Sequence, residues 1–336
     1  MSGGVDSSVA AWLMKRDGFD CSCAYMKLHI LAADSDSDAR AAAGRLDIPY
    51  YVFDFSEVFK SKVVNRFIET YREGRTPNPC VDCNNNVKFG SFQENAMRLG
   101  MDFIATGHYA RVEYSAGGRY LLKKGLDKSK DQSYVLYLLS QKQLSLTKFP
   151  LGAFSKNQVR EFALDIGLEN AQKRESQDIC FVPGGDYVSF IEKSVGKPAS
   201  KGRFTDTEGR DLGENKGIIN YTIGQRRGLG LAMPYPPYVL ELNASENIVV
   251  VGRNEELFSK TLIAHNINLI PFDRLENSLR AYVKIRYNQR EQPATVHQTD
   301  ADTLRIEFDE PQRAIAKGQA AVIYDGDVII GGGTIS

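Results

Sequence analysis

The chain has 336 residues, no formal net charge, 42% apolar residues and 25% charged residues. These values are typical of a globular protein with two or three domains, and they exclude attraction of nucleic acid by overall charge. A nucleic-acid partner would therefore need local basic patches. No apolar run reaches the length of a membrane span and no signal peptide is recognisable, so we expect a cytoplasmic protein.

The first eight residues, Met1-Ser-Gly-Gly-Val-Asp-Ser-Ser8, predict a phosphate-binding loop. Two glycines permit a tight turn close to a ligand, and apolar residues then recur at helical spacing up to Gly18. A helix N-terminus offers free N–H groups and a positive dipole end to phosphate. No lysine follows the second glycine, which excludes a Walker A loop. The alternative is a flexible start before an N-capped surface helix. Because a buried strand usually precedes such a loop, we expect that strand to be missing before Met1.

Strand and helix patterns alternate along the first half of the chain. The alternation predicts an α/β fold with a doubly wound, mostly parallel sheet. The predicted strands cover residues 19–28, 48–55 and 103–106, and the predicted helices cover 38–46, 56–72 and 155–166. Ligands bind beyond the carboxyl ends of such strands, which favours Met26 and His108 as contacts. Met26 as a core residue and His108 as a hydrogen-bonded surface residue are the alternatives.

The five cysteines are too few and too unevenly spaced for a disulfide framework. Cys80 and Cys83 form a C-x-x-C pair in residues 75–89, where two prolines predict an extended loop. No second pair completes a zinc site and the context is wrong for a thioredoxin-like pair, which leaves a nucleophile as the third interpretation. Cys180, next to Phe181, has the pattern of a buried core residue.

The last third of the chain predicts short strands separated by glycine and aspartate turns, which favours a small antiparallel barrel. Lys284, Arg286 and Arg290 would share one face of a strand, either as a basic stripe or as a plain solvated face. The predicted strands cover residues 238–242, 248–252, 279–287, 303–308, 320–324 and 328–331.

Eight short motifs occur in one order: Ser2–Ser8, Thr76–Pro79, Cys83-Asn84, Thr106–Tyr109, Asp131–Tyr134, Ile179–Phe181, Gly224–Gly230 and Gly331–Gly333. Together they resemble the bacterial tRNA-specific 2-thiouridylases, a family of ATP-pyrophosphatases, over essentially the whole chain. The resemblance implies an ATP-binding catalytic domain (residues 1–165), a central domain with the Cys180 loop (166–235) and a tRNA-binding β-barrel (236–336).

The resemblance also implies a reaction. The family replaces the C2 oxygen of the wobble uridine, U34, by sulfur in tRNAs for Lys, Glu and Gln. ATP adenylates that oxygen, and a cysteine persulfide, charged by a cysteine desulfurase or a sulfur-relay protein, supplies the sulfur. Cys180 matches the persulfide carrier and Cys83 the nucleophile, with a disulfide between them as the product state. An amide-forming synthetase of the same superfamily and a catalytically impaired tRNA-binding homologue are the alternatives.

Matching the motifs residue by residue gives the remaining contacts that the resemblance implies. Asp6 would also help to hold Mg²⁺, no protein-bound metal is otherwise expected, and Cys80 stands where many relatives carry aspartate. The implied ATP contacts are Met1, Ser2, Gly3, Gly4, Val5, Asp6, Ser7, Met26 and Gly107. The implied contacts to the target base are Asn78, Pro79 and Cys80. The implied tRNA contacts are His108, Lys130, Asp131, Gln132, Arg286, Tyr287 and Gln319, and the candidate phosphate-binding cations are Lys130, Arg226, Arg227, Lys284 and Arg286.

Overall fold

The computed structural model describes residues 1–28, 36–168 and 179–336. Most of the predicted polar loop after Met26 and the segment 174–178 before Cys180 lie outside these ranges. In the described part of the chain, no helix is both long enough and apolar enough to cross a bilayer.

The N-terminal part contains parallel strand pairs next to helices. Its first elements are helix α1 (Val5–Arg16), strand β1 (Cys23–Lys27), helix α2 (Ser37–Leu46) and strand β2 (Tyr50–Asp54). Strands β1 and β2 pair in parallel, with Cys23 opposite Tyr50. Strand β3 (Ile104–Ala105) pairs in parallel with β6 (Thr147–Lys148). The pairing confirms the predicted α/β class with parallel strands.

The predicted helix over residues 56–72 is confirmed, as a run of α3 (Ser56–Phe59), a π-helical segment (Lys60–Val64) and α4 (Asn65–Arg72). Ser56 is the first helical residue, and its N–H donates to the Asp54 carboxylate at 3.0 Å. Gly74 follows the helix with a φ of 70°, a left-handed conformation that glycine adopts without steric cost.

The segment after Arg75 differs from its prediction, because it is helical from Pro79 onward. Helix α5 (Pro79–Asp82) leads into a π-helical segment (Cys83–Phe92) and then into α6 (Gln93–Arg98). The extended loop predicted for residues 75–89 is therefore wrong over most of its length. The physical reason is that proline is favoured in the first turn of a helix, where its missing N–H needs no partner and its φ is already helical.

A hairpin and short helices connect the two halves of the chain. Strands β4 (Ala110–Tyr114) and β5 (Tyr120–Lys124) pair antiparallel as a hairpin around Gly117 and Gly118. The remaining elements of this region are the 3₁₀ helices Ser133–Leu136 and Pro150–Ala153, α7 (Gln141–Ser145) and α8 (Lys156–Asp165).

The central part carries a four-stranded sheet with the order β8-β7-β10-β9. Its elements are the 3₁₀ helix Pro183–Gly185, α9 (Tyr187–Val195), β7 (Gly202–Thr205), β8 (Asp211–Asn215), the 3₁₀ helix Ile218–Asn220, β9 (Tyr238–Asn243) and β10 (Ile248–Gly252). Strand β10 pairs in parallel with β7 and antiparallel with β9. The sequence prediction assigned residues 238–252 to the C-terminal barrel, whereas this pairing joins them to the central sheet. Val239, Val249 and Val251 are fully buried in a core shared with Phe67 and Phe204.

The C-terminal part is an antiparallel barrel, as predicted. The 3₁₀ helix Asn254–Leu257 precedes its strands, which are β11 (Phe258–Leu269), β12 (Leu279–Lys284), β13 (Gln292–Asp300), β14 (Thr303–Arg313), β15 (Ala320–Asp325) and β16 (Val328–Ile335). They follow the order β11-β14-β13-β12-β15-β16, and β11 also pairs with β16, which closes the ring. Strand β5 pairs with the outside of this ring through β16, so the hairpin links the barrel to the N-terminal part.

Candidate active site

The predicted phosphate loop is a tight turn that leads into α1. Gly3 has a φ of 74°, and a Cβ at that position would lie 2.5 Å from the Cβ of Asp38, so no other residue fits without displacement. The Ser7 hydroxyl accepts from the Ser2 N–H at 3.2 Å and donates to the Gly4 carbonyl at 3.0 Å. Among the residues that the structure describes, no side chain caps the N-terminus of α1. Its first N–H groups therefore remain available to a phosphate.

Apolar packing fixes the direction of α1. Val9, Ala10 and Leu13 are buried against a core that includes Tyr109 and Val159. This packing holds the loop against the end of β3 and against α8. Among the predicted ATP contacts, the Met1 amino group donates to the Ala24 carbonyl and Val5 packs at the edge of the same core. Met26 is half-buried opposite Phe53 in β2.

Asp6 is held by two donors. The Tyr109 hydroxyl donates to its Oδ1 at 2.9 Å, and Lys156 Nζ lies 2.7 Å from Oδ1 and 2.9 Å from Oδ2. Lys156 is only 7% exposed. Sequence analysis missed Lys156, because the Ser155 capping pattern marks a helix start but not the direction of the next side chain. A carboxylate that an ammonium already neutralises does not match the free charged oxygens that Mg²⁺ prefers, so this arrangement does not fit the metal role expected of Asp6.

The end of β3 packs directly onto the phosphate loop. A Cβ at Gly107 would lie 2.8 Å from the Asp6 carbonyl carbon and 2.9 Å from the Ser7 nitrogen. The structure therefore brings Gly107 to the loop, as the sequence predicts for an ATP contact.

His108 is buried, not on the surface. It is 8% exposed, and its Nδ1 lies 2.8 Å from Thr106 Oγ1. Its ring lies 5.8 Å from the ring of Phe89 and 5.9 Å from that of Phe149. Burial lowers the pKa of His108 well below its usual value, and Lys88 lowers it further. His108 can therefore donate or accept a hydrogen bond but supplies no charge for a phosphate.

The predicted catalytic thiols lie in one cluster with Cys80. All three are free thiols; Cys80 and Cys180 are exposed and Cys83 is half-buried. Burial raises the pKa of Cys83 to about 11, and charge on Cys180 or on Cys80 acts in the same direction. The surrounding protein likewise raises the pKa of Cys180, although its side chain still reaches solvent, with Cys80 as the next cause. Cys83 packs against the core that contains Phe181, the residue after Cys180, so the helix that carries Cys83 borders the Cys180 loop.

Helix geometry and aromatic packing position the three sulfurs. Cys80 and Cys83 are three residues apart at the junction of α5 and the π-helical segment, which puts them on one side of the helix. Cys180 precedes Phe181, whose buried ring contacts Phe59 at 5.6 Å and Phe67 at 5.2 Å. These contacts anchor the Cys180 loop to the helix over residues 56–72. The core pattern seen in the sequence thus belongs to Phe181, while Cys180 itself is exposed.

Asp82 is a buried carboxylate that sequence analysis missed. It is 7% exposed and lies 3.3 Å from Arg66. Burial raises the pKa of Asp82 to about 6, against the opposing effect of Arg66. Asp82 and Asn78 line a cavity of about 240 Å³ next to barrel residues that include Gly318. Of the other predicted base contacts, Pro79 is buried at the start of α5 and Cys80 joins the thiols.

Two predicted tRNA contacts of the barrel are hydrogen-bonded to the N-terminal part. Gln319 Nε2 donates to the carbonyls of Thr76 at 3.0 Å and Pro77 at 2.9 Å. The Tyr287 hydroxyl donates to the Asp131 carbonyl at 3.1 Å. Arg286 instead donates within the barrel part, to the Ala314 carbonyl. Gln319 and Tyr287 therefore fix the barrel to the segments that carry the site.

The segment 130–132 is held from both sides. Gln132 Oε1 accepts from the Tyr109 N–H at 3.0 Å, and Asp131 Oδ1 accepts from the Gly125 N–H at 3.1 Å. The Lys130 N–H donates to the Asp127 carbonyl at 3.0 Å. The segment therefore lies between Tyr109, the residue after His108, and Tyr287 of the barrel part.

Comparison with known families covers nearly the whole chain. Residues 1–184 match the family described as "tRNA methyl transferase HUP domain", residues 188–253 match "tRNA methyl transferase PRC-barrel domain", and residues 259–335 match "Aminomethyltransferase beta-barrel domain". The tRNA-specific 2-thiouridylase MnmA of Clostridioides difficile (strain 630) is 48% identical over all of this chain and 96% of its own length. The relative named MnmA 1 from Thermoanaerobacter sp. (strain X514) is 46% identical with the same coverage. At this identity and coverage, the chain belongs to the tRNA-specific 2-thiouridylase family.

Proposed function

We propose that this protein is an ATP-dependent tRNA-uridine 2-sulfurtransferase that acts on the wobble uridine. One observation carries the proposal: the phosphate loop and the cluster of three thiols are joined by a continuous set of contacts. Gly107 packs on the loop, His108 follows it, and Phe89, in the same π-helical segment as Cys83, packs on His108. A site that only ligates an amine to an activated acid has no use for the thiols.

The first step of the proposed reaction is adenylation. The C2 oxygen of the uridine attacks the α-phosphorus of ATP, and pyrophosphate leaves. The oxygen becomes part of a good leaving group, which makes C2 reactive towards sulfur. The N–H groups at the start of α1 favour the phosphate charge during this step. Mg²⁺ would arrive with the phosphates of ATP, since Lys156 already pairs with Asp6.

The second step is sulfur transfer. The terminal sulfur of a Cys180 persulfide loses its proton and attacks C2; the C2–oxygen bond breaks and AMP leaves. The Cys83 thiolate then attacks the Cys180 sulfur, and the electron pair of the broken S–S bond passes to the sulfur on C2. The products are 2-thiouridine and a Cys83–Cys180 disulfide, which a thiol reductant returns to the two thiols.

The finer assignments are part of this proposal. The substrates are tRNAs for Lys, Glu and Gln, and the sulfur comes from a cysteine desulfurase or a relay protein in the cytoplasm. The exposure of Cys180 supports delivery by a protein donor. We also propose that the loop and Cys83 lie in an N-terminal catalytic domain, Cys180 in a central domain and the tRNA-binding barrel in a C-terminal domain.

The test is direct. Unmodified tRNA is incubated with the protein, ATP, Mg²⁺ and a persulfide source, and 2-thiouridine is measured by mass spectrometry of the nucleosides. ATP consumption without 2-thiouridine, unaffected by loss of Cys83, would favour an amide-forming synthetase. Binding of tRNA without release of pyrophosphate would favour a non-catalytic homologue.

A further inference from the structure

Lys88 stands one π-helical turn after Cys83. Residues five apart in an α-helix point about 140° away from each other. In the segment Cys83–Phe92 the hydrogen bonds run from residue i+5 to residue i, which brings such residues to the same side. The wide turn is visible at Gly90, where a Cβ would lie 3.1 Å from the Asn85 carbonyl oxygen. The π-helical segment therefore turns Lys88 towards the face that carries Cys83.

Neighbouring contacts fix the position of this turn. Val87 and Phe89, on either side of Lys88, are at most 1% exposed. Gln143 Nε2 donates to the Phe89 carbonyl at 2.8 Å and to the Asn85 carbonyl at 3.3 Å. Lys88 itself is half-buried. Its backbone is thus fixed by these contacts, on the side of the helix that carries Cys83.

The ammonium of Lys88 acts on four groups at once. Burial is the main influence on the pKa of Cys80, Cys83, Cys180 and His108, and Lys88 lowers the pKa of each of the four. The charge that opposes it on the thiols is the buried Asp82, which acts on Cys80 and Cys83. Among residues 1–28, 36–168 and 179–336, no carboxylate forms an ion pair with Lys88. Within these residues its positive charge is therefore not neutralised by an ion pair and can act on the sulfurs.

We propose that Lys88 is a positioning residue for sulfur transfer, whose ammonium favours the anionic, nucleophilic form of the Cys83 sulfur and of the sulfur carried on Cys180. The purpose of this interaction rests on the proposed function, but the interaction itself does not. The thiolate is the attacking species, and burial alone would suppress it. One cation that acts on both sulfurs serves the attack on C2 and the attack that forms the disulfide.

The test measures thiol reactivity directly in the full-length protein. The rate of alkylation of Cys83 by iodoacetamide is followed from about pH 6 to about pH 10 by peptide mass spectrometry. For Lys88→Gln, we expect the pH profile of Cys83 to move to higher pH by about one unit, which makes alkylation at about pH 8 roughly tenfold slower. Lys88→Arg should keep the wild-type profile because it keeps the charge.

The control is Lys62→Gln, which removes an exposed lysine from the other π-helical segment and should leave the profile unchanged. Lys88→Met serves as the neutral variant if Lys88→Gln does not fold. An identical Cys83 profile in the wild type and a folded neutral variant would overturn the proposal. The same profile with a raised KM for ATP or tRNA would assign Lys88 to a phosphate instead.

Alkylation needs neither ATP nor tRNA, so this result is independent of the proposed activity. A shifted profile in a protein that makes no 2-thiouridine would support the role of Lys88 in sulfur ionisation and refute the proposed function. An unshifted profile in an enzyme that makes 2-thiouridine would refute the role of Lys88 and support the proposed function.

Discussion

Each of the three clustered cysteines has a different position, and their positions predict different roles. Cys83 is half-buried beside Lys88, whereas Cys180 and Cys80 are exposed. We expect Cys83→Ser and Cys180→Ser each to lower 2-thiouridine formation by at least about a hundredfold, because a hydroxyl neither resolves nor carries a persulfide. Adenylation, measured as pyrophosphate exchange, should persist in both variants.

The rival for either role is Cys80, one helical turn from Cys83. Cys80→Ser should keep 2-thiouridine formation within about threefold of wild type, since the two-thiol scheme does not require it. Cys21→Ser, away from the cluster in sequence and half-buried, is the matched control. If Cys80→Ser is as inactive as Cys83→Ser, the assignment of the nucleophile fails. An active Cys180→Ser would remove the two-thiol mechanism altogether.

Asp82 predicts an unusual pH dependence of stability. Its pKa is about 6 in the folded protein and near 3.8 ordinarily. Between these values the folded state binds a proton that the unfolded state has released, so the free energy of unfolding falls as pH rises through this window and stays lower above it. Asp82→Asn should therefore stabilise the protein at about pH 8 by up to about 3 kcal/mol, and give no gain near pH 4.

Chemical unfolding of wild type and Asp82→Asn at both pH values measures this difference. The substitution also removes the ion pair with Arg66, which reduces the gain, so any clear stabilisation at the higher pH supports the account. Asp54→Asn is the control with opposite sign, because hydrogen bonds from Ser56 lower the pKa of Asp54 to about 2. A variant of Asp82 that is less stable than wild type at about pH 8 would contradict the prediction.

At the scale of elements, the end of β3 and the phosphate loop pack so closely that no side chain fits at Gly107. A Cβ at Gly107 would approach backbone atoms of Asp6 and Ser7 within 3 Å. Gly107→Ala should therefore push the two segments apart, raise the KM for ATP about tenfold and lower stability by about 1 to 3 kcal/mol. ATP-dependent pyrophosphate exchange and thermal unfolding measure the two effects.

The hairpin supplies the control for this substitution. A Cβ at Gly117 would meet its nearest atom, Ser115 Oγ, at 3.6 Å, an ordinary contact. Gly117→Ala should thus leave both the KM and the stability nearly unchanged. Equal behaviour of the two alanine variants would mean that Gly107 does not support the loop.

The sequence predicted the chemistry of the helix over residues 79–98 better than its shape. Residue types left one cysteine of the C-x-x-C pair as a candidate nucleophile, which the family resemblance assigned to Cys83, but two prolines suggested an extended loop. Local rules did not distinguish Pro79 as a loop residue from Pro79 as the first residue of a helix. Lys88 was missed for the same reason, because its direction depends on a π-helical turn that a period of 3.6 residues does not predict.

At the scale of the whole molecule, the fold class was predictable and two barrel strands were not. Strand β11 begins with exposed positions and strand β13 contains a proline, so neither shows clear apolar alternation. Their pairing partners decide their structure, and pairing is not local information. The contact between Lys156 and Asp6 was also not predictable from local sequence, because the two residues lie 150 positions apart.

The junction between the central sheet and the barrel groups basic side chains in a chain without net charge. Gly224 has a φ of 83°, and a Cβ there would lie 2.7 Å from the Cβ of Ala314. Arg286 donates to the carbonyl of that same Ala314. Gly224 thus packs against the residue that Arg286 contacts, and Arg226 and Arg227 follow it at exposed positions. We expect this junction to supply a local basic patch for tRNA.

Lys284, by contrast, is largely covered by the protein. Its side chain is 16% exposed, and its Nζ lies 5.4 Å from the ring centre of Tyr324 and 4.0 Å from the Glu291 carboxylate, which pairs more closely with Lys124 at 2.7 Å. Strand β12 ends at Lys284, so the basic stripe predicted for Lys284, Arg286 and Arg290 does not lie on one strand. Because it is covered, Lys284 should not bind phosphate.

Salt dependence of tRNA binding tests whether the junction is the tRNA surface. Each phosphate bound by a basic side chain contributes about 0.7 to 0.9 to the slope of log affinity against log salt concentration. The double variant Arg226→Gln, Arg227→Gln should therefore weaken tRNA binding and reduce the slope by that amount for each arginine that binds a phosphate. Lys284→Gln should change neither quantity, because the Lys284 side chain is largely covered. Filter binding or fluorescence anisotropy over a salt series measures both variants against wild type. If the double variant keeps the wild-type slope, tRNA binds elsewhere on the molecule; if Lys284→Gln weakens binding as much as the double variant does, the ion pair with Glu291 opens when tRNA binds.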